Sequence, residues 1–365
     1  MNQPRLNKLI RLLPAHNLDC AAIIPGPTLY YLTNLSFHLM ERPIVAFFTP
    51  DAPPTLVAPE FECAKIESPG AWQLFPWRDE EGVEGAFEAC CRALKLSGRR
   101  VGVEELSMRV KEYTLLATFA PGATVSAADP LIAAMRMLKE ADEVRRMKAA
   151  VALAEGVLRD TLPAIQIGMT EKEVAAKLMV GLLTAGSEPV PFAPLVQTGP
   201  TGAAPHAAAG GRTLEAGHLL IIDFGARVEG YVSDITRTVA VGQIDDAARQ
   251  IYRAVQDANR AGRAAAAPGA ACQDVDRAAR RVIEQAGFGQ YFTHRTGHGL
   301  GLQGHEPPFI VDGNNEVLQP DMTFTVEPGI YIPGLGGVRI EDDVLVTGAG
   351  AESLTTFNRR LISVG

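Results

Sequence analysis

The sequence predicts a mixed α/β (α+β) chain in two domains, residues 1–130 and 135–365. Three observations carry that expectation. Apolar strand-like runs alternate with helical stretches through the first part of the chain, the mark of a small α/β unit. A long helical stripe opens near residue 139. Beyond it a helix-then-strand unit recurs, so the second domain is expected to consist of two matching halves. The length of 365 residues agrees, because single hydrophobic cores stop growing well below that size.

The first domain opens with an amphipathic helix over 5–20. CAAII at 20–24 follows as an apolar strand, ended by Pro25-Gly26-Pro27. Further strands are expected at 44–48, 55–58 and 101–104, with helices at 83–96 and 108–119. A loop rich in Ala, Pro and Gly over roughly 120–130 closes the unit. In the helix that begins near 139, Val144, Met147, Val151, Ala154 and Leu158 form one stripe. Asp142 with Arg146, and Glu155 with Arg159, are expected as i,i+4 pairs on its wet side. Thr170-Glu171-Lys172-Glu173 is a capping box that starts the next helix.

The repeat is faint but consistent. Gly168 and Gly269 each precede a valine, Val174 and Val275, by the same interval. Leu214 stands before Asp223 as Leu318 stands before Glu327. Two facing halves would therefore place Asp223 and Glu327 at matching positions.

Composition excludes several classes of function. With 47% hydrophobic and 21% charged residues the chain is globular, not disordered. A net charge of −8 argues against nucleic acid as a partner. No run reaches the roughly 18 apolar residues of a membrane span, and the first residues lack the apolar segment of a secretory signal. Cys20, Cys63, Cys90, Cys91 and Cys272 form no CxxC pair and read as reduced thiols of a cytoplasmic protein, with Cys90 and Cys91 buried and structural.

The chemistry concentrates in four segments. Asp223 ends LLIID and Asp234 lies in YVSDITRTV, on either side of a Gly-containing turn. If the strands pair about 228–229, the two acids face each other directly. Two carboxylates so placed repel by roughly 4 kcal/mol at 4 Å and an effective dielectric near 20, unless a cation lies between them. Two exposed acids flanking a hairpin are the alternative. HRTGHGLGLQGHEPP (294–308) holds three histidines in a Gly-rich run, where backbone can pack closely around an imidazole, and His298 is the central candidate. In the strand 321–327, Glu327 lies on the polar face before Pro328-Gly329. In VRIEDDVLV, Arg339 and Glu341 share a face, which alone could be a salt bridge. Together the candidates are four carboxylates and one imidazole. Two divalent cations would balance them, and oxygen-rich ligation favours Mn²⁺, Fe²⁺ or Co²⁺ over a thiolate-type zinc site. Such a pair can bind a bridging water and clamp a carbonyl.

These residues, in this order, resemble the pita-bread metallopeptidases: methionine aminopeptidase, aminopeptidase P and prolidase. DFGARVEGYVSDITRT, HRTGHGLGLQGHEPP, TVEPG and GVRIEDD carry the resemblance over about 139–365. The region before about 130, with RLNKLIRLL and LYYLTNL, is similar to the N-terminal domain of the creatinase/prolidase branch. Methionine aminopeptidases usually lack that domain, so the proline-specific branch is favoured, nearest to bacterial Xaa-Pro dipeptidase. The resemblance implies a pita-bread domain with internal pseudo-two-fold duplication. It implies two divalent metals, manganese first and cobalt, iron or zinc as alternatives, held by Asp223, Asp234, His298, Glu327 and Glu341, with Asp234 and Glu341 bridging. Glu327 would also be the general base toward the metal-bridging water. His206, in TGAAPHAAAGG, and His305 match histidines that contact the substrate. Arg339 matches an arginine that contacts substrate or supports Glu341.

Gln303-Gly304 and His218 depart from the usual pattern, at positions that bear on substrate preference and not on the ligands. His16, His38, His218 and His294 read as structural or supporting. The expected activity is hydrolysis of Xaa-Pro dipeptides by a cytoplasmic homodimer, with a small peptide as partner and no membrane or nucleic acid. Aminopeptidase P activity on longer peptides is the alternative, and a non-catalytic binding module a distant one.

Overall fold

A computed structural model describes residues 1–66 and 69–365. The chain divides into two compact units, Met1–Arg136 and Met137–Gly365.

The first unit is built on a six-stranded mixed sheet of β1 (Cys20–Ile23), β2 (Val45–Phe48), β3 (Thr55–Pro59), β4 (Gln73–Trp77), β5 (Arg100–Val103) and β6 (Thr124–Ala127), in the order β4-β3-β2-β1-β5-β6. Strands β1 to β3 are buried throughout, so their apolar runs do not alternate. Val45, Phe47, Val57 and Val101 pack there with Phe87 and Cys90 of the helix Glu84–Ala93 and with Leu94 at its C-terminal cap. Two expectations need correction. The first helix covers Gln3–Leu12, with Asn2 Oδ1 accepting from the Arg5 N–H at 3.2 Å. Pro14 and the left-handed Asn17, φ 58°, prevent its continuing to 20. The expected loop over 120–130 contains β6, whose mostly polar, exposed sequence hides an edge strand. Strand β4 and the helix Pro27–Thr33 had no clear signal.

The second unit is duplicated. The helices Ala141–Thr161 and Glu171–Thr184 recur as Asp246–Ala265 and Cys272–Gln285. In the first half the short β19 (Ser363–Val364), β11 (Ile235–Val241), β8 (Leu219–Phe224) and β7 (Leu195–Thr198) form one sheet in that order, and the ribbon β9 (Arg227–Val228) and β10 (Tyr231–Val232) fills the turn. In the second half the order is β13 (Glu306–Ile310), β12 (Gly297–Gly299), β14 (Thr323–Val326), β17 (Asp342–Thr347) and β18 (Gly350–Ser353), with a separate hairpin of β15 (Gly329–Ile332) and β16 (Gly336–Arg339). The two halves begin alike. Gly168 and Gly269 both stand at φ +88°, donating to the carbonyls of Leu214 at 2.8 Å and Leu318 at 2.9 Å.

Thr170 and Glu173 close the expected capping box, at 3.2 and 2.7 Å. The stripe Met147, Val151, Ala154 and Leu158 is buried, and Arg146 pairs with Asp142 at 2.6 Å. Glu155 is not on the wet side. It is buried and accepts from Thr356 Oγ1 at 2.8 Å and the Phe357 N–H at 2.6 Å.

Candidate metal centre

Strand ends supply the acids. Asp223 lies near the end of β8 and Asp234 immediately before β11. Glu327 follows β14, and Glu341 immediately precedes β17. Asp223 and Asp234 do not oppose each other directly, because Asp223 pairs with Thr236. The turn is centred between 229 and 230, one residue later than the expected 228–229 midpoint, with Tyr231 opposite Val228. Asp234 is therefore the diagonal neighbour of Asp223, on the same face. Arg339 and Glu341 are likewise not on one continuous strand. The chain breaks between β16 and β17, which belong to different sheets. Both side chains still meet Thr236, whose hydroxyl accepts from Arg339 Nε at 3.2 Å and donates to Glu341 Oε2 at 2.6 Å.

His298 sits in the middle of β12, and its flanking glycines are required by space. A Cβ on Gly297 would strike the Thr325 carbonyl oxygen, and one on Gly299 the Pro307 and Glu306 carbonyls. The His298 Nδ1 lies 3.2 Å from the Gly299 carbonyl and its Nε2 3.2 Å from Glu327 Oε1. A proton on Nε2 is shared with Glu327, and a cation held there would take its place on the Nε2 lone pair, with Nδ1 bonded to the Gly299 carbonyl.

These groups line one cavity of about 760 Å³, with His206, His294, Arg295, His305 and Arg339 also in its wall and Pro191, Phe192, Ala193 and Leu195 on an apolar side. A larger groove of about 960 Å³ follows the helices Ala141–Thr161 and Glu171–Thr184, but among ionisable groups only Asp160 and Lys177 line it. The chemistry lies in the smaller cavity.

Its electrostatics are unfavourable without cations. Burial, and then the neighbouring carboxylates, push Asp234 and Glu341 well above the ordinary carboxylate range. Burial also raises Asp223, against the opposing pull of Arg339. Burial acts on Glu327 in the same direction, yet the His298 hydrogen bond and the charges of His298, His294 and Arg339 bring it down to about 2. The buried Oδ1 atoms of Asp223 and Asp234 have no hydrogen-bond partner, and Asp234, His298 and Glu341 offer ligand atoms within 4.8 Å of one another. Orphaned carboxylate oxygens facing an imidazole nitrogen are the donor set a divalent cation takes. The residues fit the ions.

All eight sequence candidates from both halves, His206, Asp223, Asp234, His298, His305, Glu327, Arg339 and Glu341, come to this one cavity. Three participants were not singled out in sequence. Thr236 bridges Arg339 and Glu341, as above. Tyr331 accepts from Arg339 Nη1 at 2.9 Å and its hydroxyl meets His294 Nε2 at 2.8 Å. Arg295 reaches His305. Only Tyr331 left a trace, as a lone polar-tipped ring in the apolar run after Pro328. His294, read as supporting, lies in the wall itself and bonds Tyr331.

Residues 145–348 match the model of metallopeptidase family M24, and residues 5–138 match the creatinase/prolidase N-terminal domain. The chain belongs to metallopeptidase family M24. It is 32% identical over 371 residues to an Xaa-Pro dipeptidase of Pyrococcus horikoshii, covering 99% of both chains. The M24 chain superposes on the prolidase of Thermococcus sibiricus with a TM-score of 0.95 at 31% identity, covering 100% of this chain and 99% of that one. An X-Pro aminopeptidase of Thermotoga maritima gives 0.86 at 28% identity, with 98% and 99% covered. The fold is thus the pita-bread type with a creatinase-like first domain, and the M24 enzyme is a divalent-metal peptidase.

Proposed function

We propose that this peptidase hydrolyses the Xaa-Pro bond of dipeptides, and that Asp223, Asp234, His298, Glu327 and Glu341 would hold two divalent cations, manganese first. The observation that carries the reading is the convergence of four buried carboxylates and His298 in a chain that aligns end to end with an Xaa-Pro dipeptidase. When bound, the ions supply Lewis acidity at the scissile carbonyl and lower the pKa of the reacting water.

The remaining work belongs to side chains. Glu327, a carboxylate at neutral pH, takes the proton of the attacking water. As the water oxygen joins the carbonyl carbon, His206 and His305 donate to the oxygen on which charge develops. The C–N bond then breaks, and the proton held by Glu327 passes to the proline nitrogen. Arg339 fixes Asp223 and, through Thr236, Glu341. Phe192 and Leu195 give an apolar side on which a pyrrolidine ring can rest.

No helix among the described residues is long and apolar enough to cross a membrane. The five thiols are unpaired, which supports a reducing cytoplasm. A homodimer is expected, and light scattering checks it. The activity is tested by loading with Mn²⁺ and assaying Ala-Pro, Gly-Pro and Ala-Pro-Ala. Cleavage of the dipeptides is expected. Cleavage of the tripeptide alone would replace this reading with an aminopeptidase P, and cleavage of none would remove proline specificity altogether.

A further inference from the structure

Away from the metal cavity, three arginines converge on the surface of the second unit. Arg249 and Arg253 stand one turn apart on the helix Asp246–Ala265, and Arg360 comes from the segment that follows β18. With Tyr252, Gln256 and Leu361 they line a cavity of about 190 Å³. Arg253 and Arg360 are exposed and Arg249 is half-buried. None of the three side chains forms an ion pair or a hydrogen bond among the described residues. Of the acids beside them, Asp245 caps the helix through the Ala248 N–H at 2.7 Å, and Asp257 pairs with Arg260 at 2.8 Å. Asp246 reaches none of the three among the described residues. Such a cluster is out of keeping with a chain of net charge −8.

The backbone around the cluster is held in place. Tyr252 Oη, at 3.2 Å, and Gln256 Nε2 both donate to the Arg359 carbonyl. The Arg360 N–H donates to Asn358 Oδ1 at 2.9 Å. The Arg359 side chain is committed elsewhere, to Asp342 Oδ2 at 2.7 Å and the Thr355 carbonyl at 2.8 Å. A guanidinium does not lose its charge and can only donate. Three of them around one cavity therefore repel one another unless an anion lies among them. A carboxylate brings one negative charge and two oxygens. A phosphate monoester brings about −1.5 to −2 and three acceptor oxygens, the better match to three forked donors. The cavity has room for about six water-sized groups, at roughly 30 Å³ each, enough for one phosphate.

We propose that Arg249, Arg253 and Arg360 form a binding site for one phosphate group, carried by orthophosphate or by a small phosphomonoester. The site is independent of the Xaa-Pro reading, since none of its residues lines the metal cavity. A phosphate bound there ties the C-terminal segment to the helix Asp246–Ala265, because its oxygens accept from both.

The test titrates the Mn²⁺-loaded enzyme, freed of excess metal, by calorimetry in about 0.15 M NaCl, where weak surface attraction is screened. The titrants are orthophosphate, glycerol 3-phosphate, acetate, and phosphatidylcholine vesicles containing phosphatidic acid. The proteins are wild type, Arg253→Gln, Arg360→Gln and Arg360→Lys. Wild type is expected to take one phosphate per chain with a Kd of about 1 mM or tighter, and acetate at least about tenfold more weakly. Each Gln variant should bind phosphate about 10- to 100-fold more weakly, the scale of one charge-assisted interaction. Arg360→Lys retains part of the affinity, since it keeps the charge and loses the fork. Phosphate should also raise the Tm of wild type, by linkage, and raise it less in the Gln variants, whose Tm without phosphate matches wild type.

Equal phosphate affinity in wild type and both Gln variants would place the ion at the metal cavity and overturn the proposal. Equal affinity for acetate and phosphate would overturn the phosphate assignment. So would the absence of both heat and a Tm rise at about 10 mM phosphate, ten times the expected limit. Binding to the vesicles with neither soluble phosphate bound would replace the site with a membrane-surface contact. Tighter binding of glycerol 3-phosphate than of orthophosphate supports a monoester as the ligand, and the reverse order supports the free ion.

Discussion

At the scale of single residues, the site is an excess of buried negative charge held in register. Glu327 differs from its neighbours: His298 and Arg339 keep it ionised where Asp234 and Glu341 resist ionisation. Replacing Glu327 with Gln should lower kcat by about 10²–10⁴, the usual contribution of a positioned base, and metal analysis of the same sample separates lost ligation from lost proton transfer. Because Asp234 and Glu341 hold their protons more tightly than ordinary acids, cation uptake must expel protons. Affinity for Mn²⁺ should accordingly rise with pH, and titration calorimetry in buffers of different ionisation heat should register the released protons. The candidate ligands were legible in the sequence because acids at apolar strand ends and a histidine among glycines are unusual. Tyr331 and Arg295 were not, since their partners Arg339 and His305 lie across a hairpin and a loop whose pairing no local pattern fixes.

At the scale of elements, geometry depends on close backbone approach. An alanine at Gly297 would drive its methyl into the Thr325 carbonyl, in the strand that precedes Glu327. The expected cost of Gly297→Ala is about 2 kcal/mol or more, seen as a lower Tm together with weaker Mn²⁺ binding. Gly156 is the counter-example, a mid-helix glycine whose added methyl meets nothing within 4 Å. Gly156→Ala should therefore stabilise by about 0.5–1 kcal/mol, with denaturant midpoints as the measure. Apolar periodicity revealed the long helix and its stripe, but it could not give the register of β8 on β11. The turn fixes that register, and a two-residue change in its span moves Asp234 from opposite Asp223 to diagonal from it.

At the scale of the whole molecule, the first unit carries a core of its own around Phe47, Val57, Phe87 and Val101. Residues 1–136 expressed alone should melt cooperatively by circular dichroism. Within that unit, Asp19 is lowered to about 2 by hydrogen bonds from the Arg100 side chain and backbone. An acid depressed in the folded state adds stability above its unfolded pKa, about 3.9. That stability is lost as pH falls through 2. The advantage of wild type over Asp19→Asn should thus be complete at pH 7, shrink below pH 4 and vanish near pH 2, as followed by urea midpoints. The division into two units followed from length and composition. The duplication was visible only as a few matched residues, because the two halves share hydrogen-bonding geometry at Gly168 and Gly269 more than they share side chains.

That duplication has a mechanical side. Arg339 of the second half holds Asp223 of the first, Arg237 of the first holds Asp342 of the second at 2.8 Å, and Asp343 accepts from the Asp234 N–H at 3.1 Å. The halves are thus buttoned together in and beside the cavity, where like charges also press them apart. Cations placed there reverse the sign of that central force, so the ions that equip the enzyme for chemistry also act as its keystone. Stripping them should loosen the seam between the halves before it unravels either one, and amide exchange along β8 and β14 would register that order.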